Sequence, residues 1–294
     1  MSREEAQAGK SSRTESLRVR GRQLDLSAPI IMGILNATPD SFSDGGLFDD
    51  TRTALGYIEY MVESGAGIID VGGESTRPGS EPVAEKEELQ RVIPIIEQAV
   101  SSHHQTLFSI DTTKYEVARK ALEAGVHIVN DVSGLQKEPR LAGLCAEYGA
   151  GYILMHSQGD PKIMQQDPSY DNIIEDISHF FRQQVEVAHQ QGLKDDQIVL
   201  DPGIGFGKTL QHNLTILGNL GRFKDLGYPL LVGASRKTLL GQILGDRPVD
   251  ERLIGSVAVH YQAIHDGAKI IRVHDVKELN DAILVYKAIR QARR

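Results

Sequence analysis

An α/β chain folded as a single (β/α)8 TIM barrel, with a short hairpin before it, is the architecture this sequence predicts. The first observation is a series of short runs rich in Ile, Val and Leu from residue 30 onward. They are Ile30–Leu35, Ile68–Val71, Leu107–Asp111, His127–Asp131, Tyr152–Met155, Ile198–Asp201, Pro229–Gly233 and Ile270–Val273. Parallel strands buried on both faces are this uniformly apolar. The second is the amphipathic stretches between them, such as VAEKEELQRVIPIIEQAV and DERLIGSVAVHYQAIHDG, whose apolar residues recur at helical spacing. The third is the glycine that closes a helix just before the next run, as in SGAGIID, AGVHIVN, YGAGYIL and DGAKIIR. A doubly wound open sheet is the alternative arrangement of the same units.

In chain order, residues 1–16 are polar, lack aromatics and are expected to form a disordered tail, which leaves residues 17–294 as one barrel domain. The segment SLRVRGRQLDLS alternates about Gly21-Arg22 like a hairpin, placed to cap the barrel floor. No linker, composition break or low-complexity stretch interrupts the chain after residue 16. In a barrel the chemistry sits at the carboxyl ends of the strands, so polar residues should gather just after each apolar run. They do, in NATPDSFSDGG, GGESTRPG, DTTK, ND, HSQG, DPGIGFGK, ASRK and RVHD. One Asp or Asn at a strand end commonly caps the next helix. A polar cluster after every run is not explained by capping.

The chain has 294 residues, a formal net charge of -8 and a single cysteine, Cys145. That charge argues against general attraction to nucleic acid or an anionic membrane. One cysteine excludes an intrachain disulfide and any multi-cysteine metal site, and its helical setting, LAGLCAEYG, reads as a buried structural thiol. There is no apolar run of spanning length and no apolar signal core at the start, so the cytoplasm is the expected location.

The string DPGIGFGKT invites comparison with a nucleotide-binding P-loop, whose motif is G-x-x-x-x-G-K-[ST]. Gly207, Lys208 and Thr209 match its second half, but Pro202 stands where its first glycine belongs. Proline has no N–H and a fixed φ, so the match fails. Asp111, Asn130 and Asp201 end the third, fourth and sixth runs and can converge in the mouth. Two carboxylates and an amide suit a ligand edge rich in N–H donors, such as an aminopyrimidinone, because a carboxylate takes paired hydrogen bonds from such an edge. A metal site is the weaker reading of that set. Ser235, Arg236 and Lys237 follow the seventh run, while Arg272 and His274 straddle the end of the eighth. Barrel enzymes often hold phosphate there, and arginine grips phosphate through a fork of donors. Residues 36–50 and 73–82 are long, polar and contain Gly and Pro, as lids over a mouth would be, and Phe42 in the first suits packing on a bound ring.

Taken in order, these strings resemble the dihydropteroate synthase family from about Ile30 to the C-terminus. GILNATPDSFSDGG and GGESTRPGSEPVAEKEELQRVIPII stand for its two signatures, and SIDTTK, VNDVSG, LMHSQG, LDPGIGFGK, VGASRKTLLG and RVHDVKE follow in family order. The resemblance implies a magnesium-dependent condensation of 6-hydroxymethyl-7,8-dihydropterin diphosphate with 4-aminobenzoate to 7,8-dihydropteroate and pyrophosphate, in the folate pathway that sulfonamides inhibit. Carried over by position, it implies that Asp111, Asn130, Asp201 and Lys237 hold the pterin and that Met155, Phe206 and Gly233 line its pocket. Asn36, Arg272 and His274 would hold the diphosphate, Asn36 also serving as a magnesium ligand. Phe42, Thr76, Arg77 and Pro78 would lie in lids over 4-aminobenzoate, with Ser235, Arg236 and Thr238 near its carboxylate. Thr238 occupies a position that is often Ser in the family. Asp44 is the candidate for positioning magnesium or the amine, and no general base is named. The family also implies a homodimer, through the last helices. A pterin-dependent methyltransferase and a non-catalytic pterin-binding protein are the rival readings. The STRPG lid and the S-R-K and R-V-H strings favour the diphosphate chemistry over both.

Overall fold

The computed structural model describes residues 15–38, 46–75, 80–159 and 168–292, with 46–50 in backbone alone. The hairpin pairs β1 (Ser16–Val19) with β2 (Arg22–Asp25), antiparallel, with Leu17 opposite Leu24. Its turn is centred on Arg20 and Gly21, with φ of 47° and 77°, one residue before the Gly21-Arg22 centre expected from alternation. Two left-handed residues in succession suit the right-handed twist of a tight hairpin. Arg20 tolerates this conformation while its guanidinium donates to the carbonyls of Leu122 (2.6 Å) and Val126 (3.0 Å).

The barrel strands are β3 (Ile30–Asn36), β4 (Ile68–Gly72), β5 (Leu107–Asp111), β6 (Ile128–Asp131), β7 (Gly151–Met155), β8 (Ile198–Asp201), β9 (Leu231–Val232) and β10 (Ile270–Val273). All pair in parallel in the order β8-β7-β6-β5-β4-β3-β10-β9, and a bridge between Leu200 and Leu230 closes the ring. β9 is shorter than its apolar run because Pro229 has no N–H for the ladder and contributes only its carbonyl, to the Leu200 N–H (2.9 Å). Helices follow the strands: α1 (Gly46–Glu63), α2 (Glu85–Ser102), α3 (Tyr115–Glu123), α4 (Arg140–Tyr148), α5 (Ile173–Gln190), α6 (Leu210–Gly218), α7 (Thr238–Ile243), α8 (Leu253–His265) and α9 (Val276–Gln291). Their buried stripes pack on the outward residues of the strands, among them Phe108, Tyr152 and Val232. Cys145 lies in this outer core, fully buried, and burial pushes its thiol pKa far up, as a structural cysteine requires.

What positions the site is the inward register. Alternate strand residues face the axis. The lowest inward tier is apolar, formed by Met32, Ile68, Leu107, Val199, Leu231 and Ile270 and covered by Leu17, Val19 and Leu26 of the hairpin segment. The hairpin therefore caps the floor, as expected. Two residues further along the same strands come Ile34, Asp70, Ser109, Asp201, Gly233 and Arg272, and beyond them Asn36 and Asp111. The interior thus turns from hydrocarbon to charge within one repeat of the strand. No helix among the described residues is long and apolar enough to cross a membrane.

Candidate active site

One wall of the mouth is built on β4, β5, β6 and β10. Arg272 Nε donates to Asp70 Oδ2 (2.7 Å) and Arg272 Nη2 to Asp111 Oδ2 (2.8 Å). Asn130 Nδ2 donates to the same Asp70 oxygen (3.0 Å). Asp70, Asp111 and Asn130 are all buried, and Gly233 lies against Arg272, where an added Cβ would meet the arginine Cβ at 3.4 Å. Burial, helped by the nearby carboxylates of Asp70, Glu88 and Asp131 and opposed by Arg272, pushes Asp111 up to about 7. Burial also works against the charge of Arg272, but Asp70 and Asp111 outweigh it and raise its pKa. The neighbouring strand-end carboxylate, Asp131, does a different job. It accepts from Ser133 N (2.8 Å), Ser133 Oγ (2.7 Å), Leu135 N (2.8 Å) and Tyr152 Oη (2.6 Å), and so ties the β6 exit to β7.

The opposite wall is the DPGIGFGKT stretch. Asp201 is buried beside Met155, its register partner, and Asp201 Oδ1 accepts from Gly203 N (2.8 Å). Burial raises the Asp201 pKa, against the pull of Lys237. Lys237 Nζ donates to the Ile204 carbonyl and lies 4.4 Å from the centroid of the Phe206 ring. Burial lowers this amine to about 8 although Asp201 favours its charge. Gly203 has φ of 68°, and a Cβ there would come within 1.9 Å of the His156 carbonyl oxygen, so only glycine makes this exit. Lys208, the lysine of the P-loop-like string, turns inward and is buried. Its Nζ meets His156 Nδ1 (2.9 Å) and donates to the Phe206 carbonyl (2.9 Å). Burial lowers its pKa well below the ordinary range and pushes His156 down to about 2. The lysine of that string therefore stitches two loops together. Thr209 is the N-cap of α6, with Oγ1 accepting from His212 N (3.1 Å).

Past β9 and β10, Ser235 Oγ accepts from the backbone N–H of His274 (3.2 Å) and sits 3.0 Å from its Nδ1. The hydroxyl thus holds both the backbone and the ring of His274, and the imidazole tautomer sets which way the Oγ–Nδ1 bond runs. Arg236 adopts φ of 57° and its guanidinium clasps Asp275, Nε donating to Oδ2 at 3.0 Å. Burial works against the Arg236 charge less than Asp275 favours it, and the pKa rises. Thr238 opens α7 and is exposed, while Asn36 ends β3 level with Gly72 of β4. The structure thus gathers Asp111, Asn130, Asp201, Lys237 and Arg272 into one mouth, places Ser235 with His274 at its edge, and joins Arg236 to Asp275.

Phe42, Asp44, Thr76, Arg77 and Pro78 lie outside the described residues. The base of the second loop is described, and it rests on residues that sequence reasoning passed over. Lys114, in the DTTK string, donates to Glu74 and to the fully buried Glu88 (2.5 Å for the latter), and Arg91 Nη1 donates to the Gly73 carbonyl (2.7 Å). Asp70 and His156 were passed over too. The signal for Asp70 was present, a lone carboxylate at an inward position of the apolar run IIDVG. Among the described residues no group of three His, Cys, Asp or Glu side chains is placed to hold a metal ion. Asn36 supplies one hard amide oxygen at the rim.

Comparison with known proteins gives a consistent result. Residues 32–274 match the family described as pterin binding enzyme. The dihydropteroate synthase of Escherichia coli (strain K12) is 47% identical over 274 residues, which span 93% of this chain and 96% of that protein. The crystal structure of Yersinia pestis dihydropteroate synthase in complex with a sulfonamide drug superimposes with a TM-score of 0.87 at 46% identity, covering 94% of this chain and 99% of that one. The Xanthomonas albilineans dihydropteroate synthase with 4-aminobenzoic acid gives a TM-score of 0.87 at 40% identity, covering 94% and 98%.

Proposed function

This chain belongs to the family of pterin-binding enzymes and is a transferase of the dihydropteroate synthase kind; we propose that its barrel mouth joins 6-hydroxymethyl-7,8-dihydropterin diphosphate to 4-aminobenzoate as follows. The observation that carries the reading is the convergence at one mouth of two buried carboxylates and a buried amide, Asp111, Asp201 and Asn130, with two cations, Lys237 and Arg272. The donor edge of the pterin lies against Asp111 and Asp201, with Asn130 and Lys237 completing the set and Met155, Phe206 and Gly233 lining the pocket. The diphosphate lies toward Arg272, His274 and Asn36. Supporting this split, the Lys237 amine and the Phe206 ring are already stacked beside Asp201, and the hydroxyl of Ser235 fixes the ring of His274 through Nδ1.

The reaction breaks the C–O bond between the pterin methylene and the diphosphate and forms a C–N bond to the aryl amine. The electron pair of the C–O bond leaves with pyrophosphate, and one amine proton passes to solvent. An electron-rich dihydropterin shares positive charge with the methylene, so the step is dissociative in character, and what it needs from the protein is stabilisation of the leaving anion. Arg272 and His274 provide that. The aryl amine is unprotonated at neutral pH and attacks without a dedicated base. Magnesium, when bound, neutralises phosphate charge. Its habit of one or two protein oxygens completed by substrate phosphates and waters suits Asn36 as a ligand. Asp44 is the second candidate in the first lid, and turnover unchanged in Asp44→Ala removes that role. Ser235 and Thr238 lie near the carboxylate of 4-aminobenzoate, with Arg236 held by Asp275, while Phe42, Thr76, Arg77 and Pro78 close over its ring.

The assembly we propose is a homodimer through the last helices. Supporting it, Ile243 of α7, Ile254 of α8 and Leu284, Val285 and Ile289 of α9 are large apolar side chains at 51–77% exposure, surface that an interface would remove from water. Incubating the purified chain with the dihydropterin diphosphate, 4-aminobenzoate and magnesium tests the reaction. Pyrophosphate release that requires both substrates is expected. Pterin binding without release is the contrary result.

A further inference from the structure

The carboxylate of Asp70 stands out because it is buried below the mouth, where the strand is otherwise hydrocarbon. Its neighbours along β4 are Ile68, Ile69 and Val71, and all four side chains are fully buried. A carboxylate removed from water is strongly unfavourable unless it is paired and hydrogen-bonded. Asp70 is only half satisfied: Oδ2 accepts from Arg272 and Asn130, while Oδ1 has no partner among the described residues. The Ser109 hydroxyl, level with it on β5, is likewise unpartnered. An apolar residue would serve packing better here, so the charge has another use.

That use follows from how the arginine is held. Asp111, which also faces the pocket, grips Arg272 at Nη2, and Asp70 grips it at Nε, the donor next to the arginine's own stem. Arginine is a long chain with a planar head, and one anchored N–H fixes the plane in which the remaining donors point. The same oxygen takes the Asn130 Nδ2 hydrogen, which settles which end of that amide faces the mouth. We propose that Asp70 is a positioning residue for both, and chiefly that it holds the Arg272 guanidinium oriented for the diphosphate. It touches no substrate. The inference rests on the reading of Arg272 as a diphosphate ligand given above.

The sign of the effect separates positioning from simple electrostatics. Removing a carboxylate next to an anion site should strengthen anion binding if charge alone matters. If Asp70 orients the guanidinium, removing it should weaken binding instead. The experiment is isothermal titration of magnesium pyrophosphate into the full chain, wild type and Asp70→Ala, with thermal melts to confirm folding. A loss of roughly tenfold in affinity is expected, the worth of one charge-assisted hydrogen bond. Asp70→Asn, nearly isosteric and more easily folded, keeps an acceptor for Nε and should fall between the two. Tighter or unchanged pyrophosphate binding in either variant overturns the inference. Arg272→Lys, run in parallel, isolates the premise. If Arg272→Lys binds pyrophosphate as wild type does, the diphosphate reading of Arg272 fails. If it binds weakly while the Asp70 variants do not, only the role of Asp70 fails.

Discussion

The floor and the mouth of this barrel are made by the same strands in the same register, and they differ by two residues. Ile68 is followed inward by Asp70, Leu107 by Ser109 and then Asp111, Val199 by Asp201, and Ile270 by Arg272. The lower tier is closed by Leu17, Val19 and Leu26 and contains only hydrocarbon. The upper tier holds partly compensated charge, with buried oxygens of Asp70 and Asp111 and the Ser109 hydroxyl lacking partners among the described residues. Stability and chemistry are thus stacked along one axis. The hydrophobic tier carries the burial energy that allows the tier above to keep groups that are unfavourable where they sit.

The sharpest way to break this division is a cavity in the floor. Ile270→Ala should lower stability by about 2–5 kcal/mol, read by denaturant unfolding, while kcat/KM stays within about twofold. A large loss of turnover in the folded variant would show that the tiers are not separable. The converse change is Asp201→Asn in the mouth. It removes a buried carboxylate of nearly the same shape, and kcat/KM should fall roughly 100-fold, as when one partner of a buried charged hydrogen bond is lost. Its melting temperature should move little, because the raised pKa of Asp201 means that its ionised form is disfavoured in the fold.

Acidity gives a finer test of the same wall. Burial holds Asp111 near 7, so the carboxylate takes up a proton as pH falls below that value and loses its ability to accept paired hydrogen bonds. Affinity for 6-hydroxymethylpterin, followed by calorimetry, should therefore be constant above pH 8 and fall below pH 7, by at most about tenfold per pH unit. In Asp111→Asn this acid limb should disappear. A limb that persists in the variant assigns the proton to another group. The smallest effect is expected in the outer core. Cys145, fully buried and with its thiol pKa pushed up, should resist a thiol reagent until the protein unfolds, and Cys145→Ala should leave turnover unchanged.

Most of the barrel was legible because its strands are buried on both faces, which makes each an unbroken apolar run, and because Asp111, Asn130 and Asp201 mark where those runs stop. The turn of the hairpin was misplaced by one residue because alternation does not report φ, and the left-handed pair turned out to be Arg20 and Gly21. Asp70 was not legible as a site residue for a related reason. It sits inside a run instead of at its end, and only the folded barrel brings its carboxylate to Arg272 Nε. Lys208 was legible only as part of the failed P-loop match, since no local signal tells a lysine that stands in solvent from one that bends inward to His156. Lys114 and Glu88 lie 26 positions apart and meet only through the barrel. Local pattern thus locates strand ends, whereas networks between strands need the fold.

The most direct measurement is a crystal structure of this chain with a pterin and magnesium pyrophosphate bound. The expected result places the pterin's N–H edge within hydrogen-bond distance of Asp111 and Asp201, with pyrophosphate oxygens on Arg272 and His274. A pterin seated away from the Asp111–Asp201 tier, or a pyrophosphate that leaves Arg272 untouched, would contradict the account.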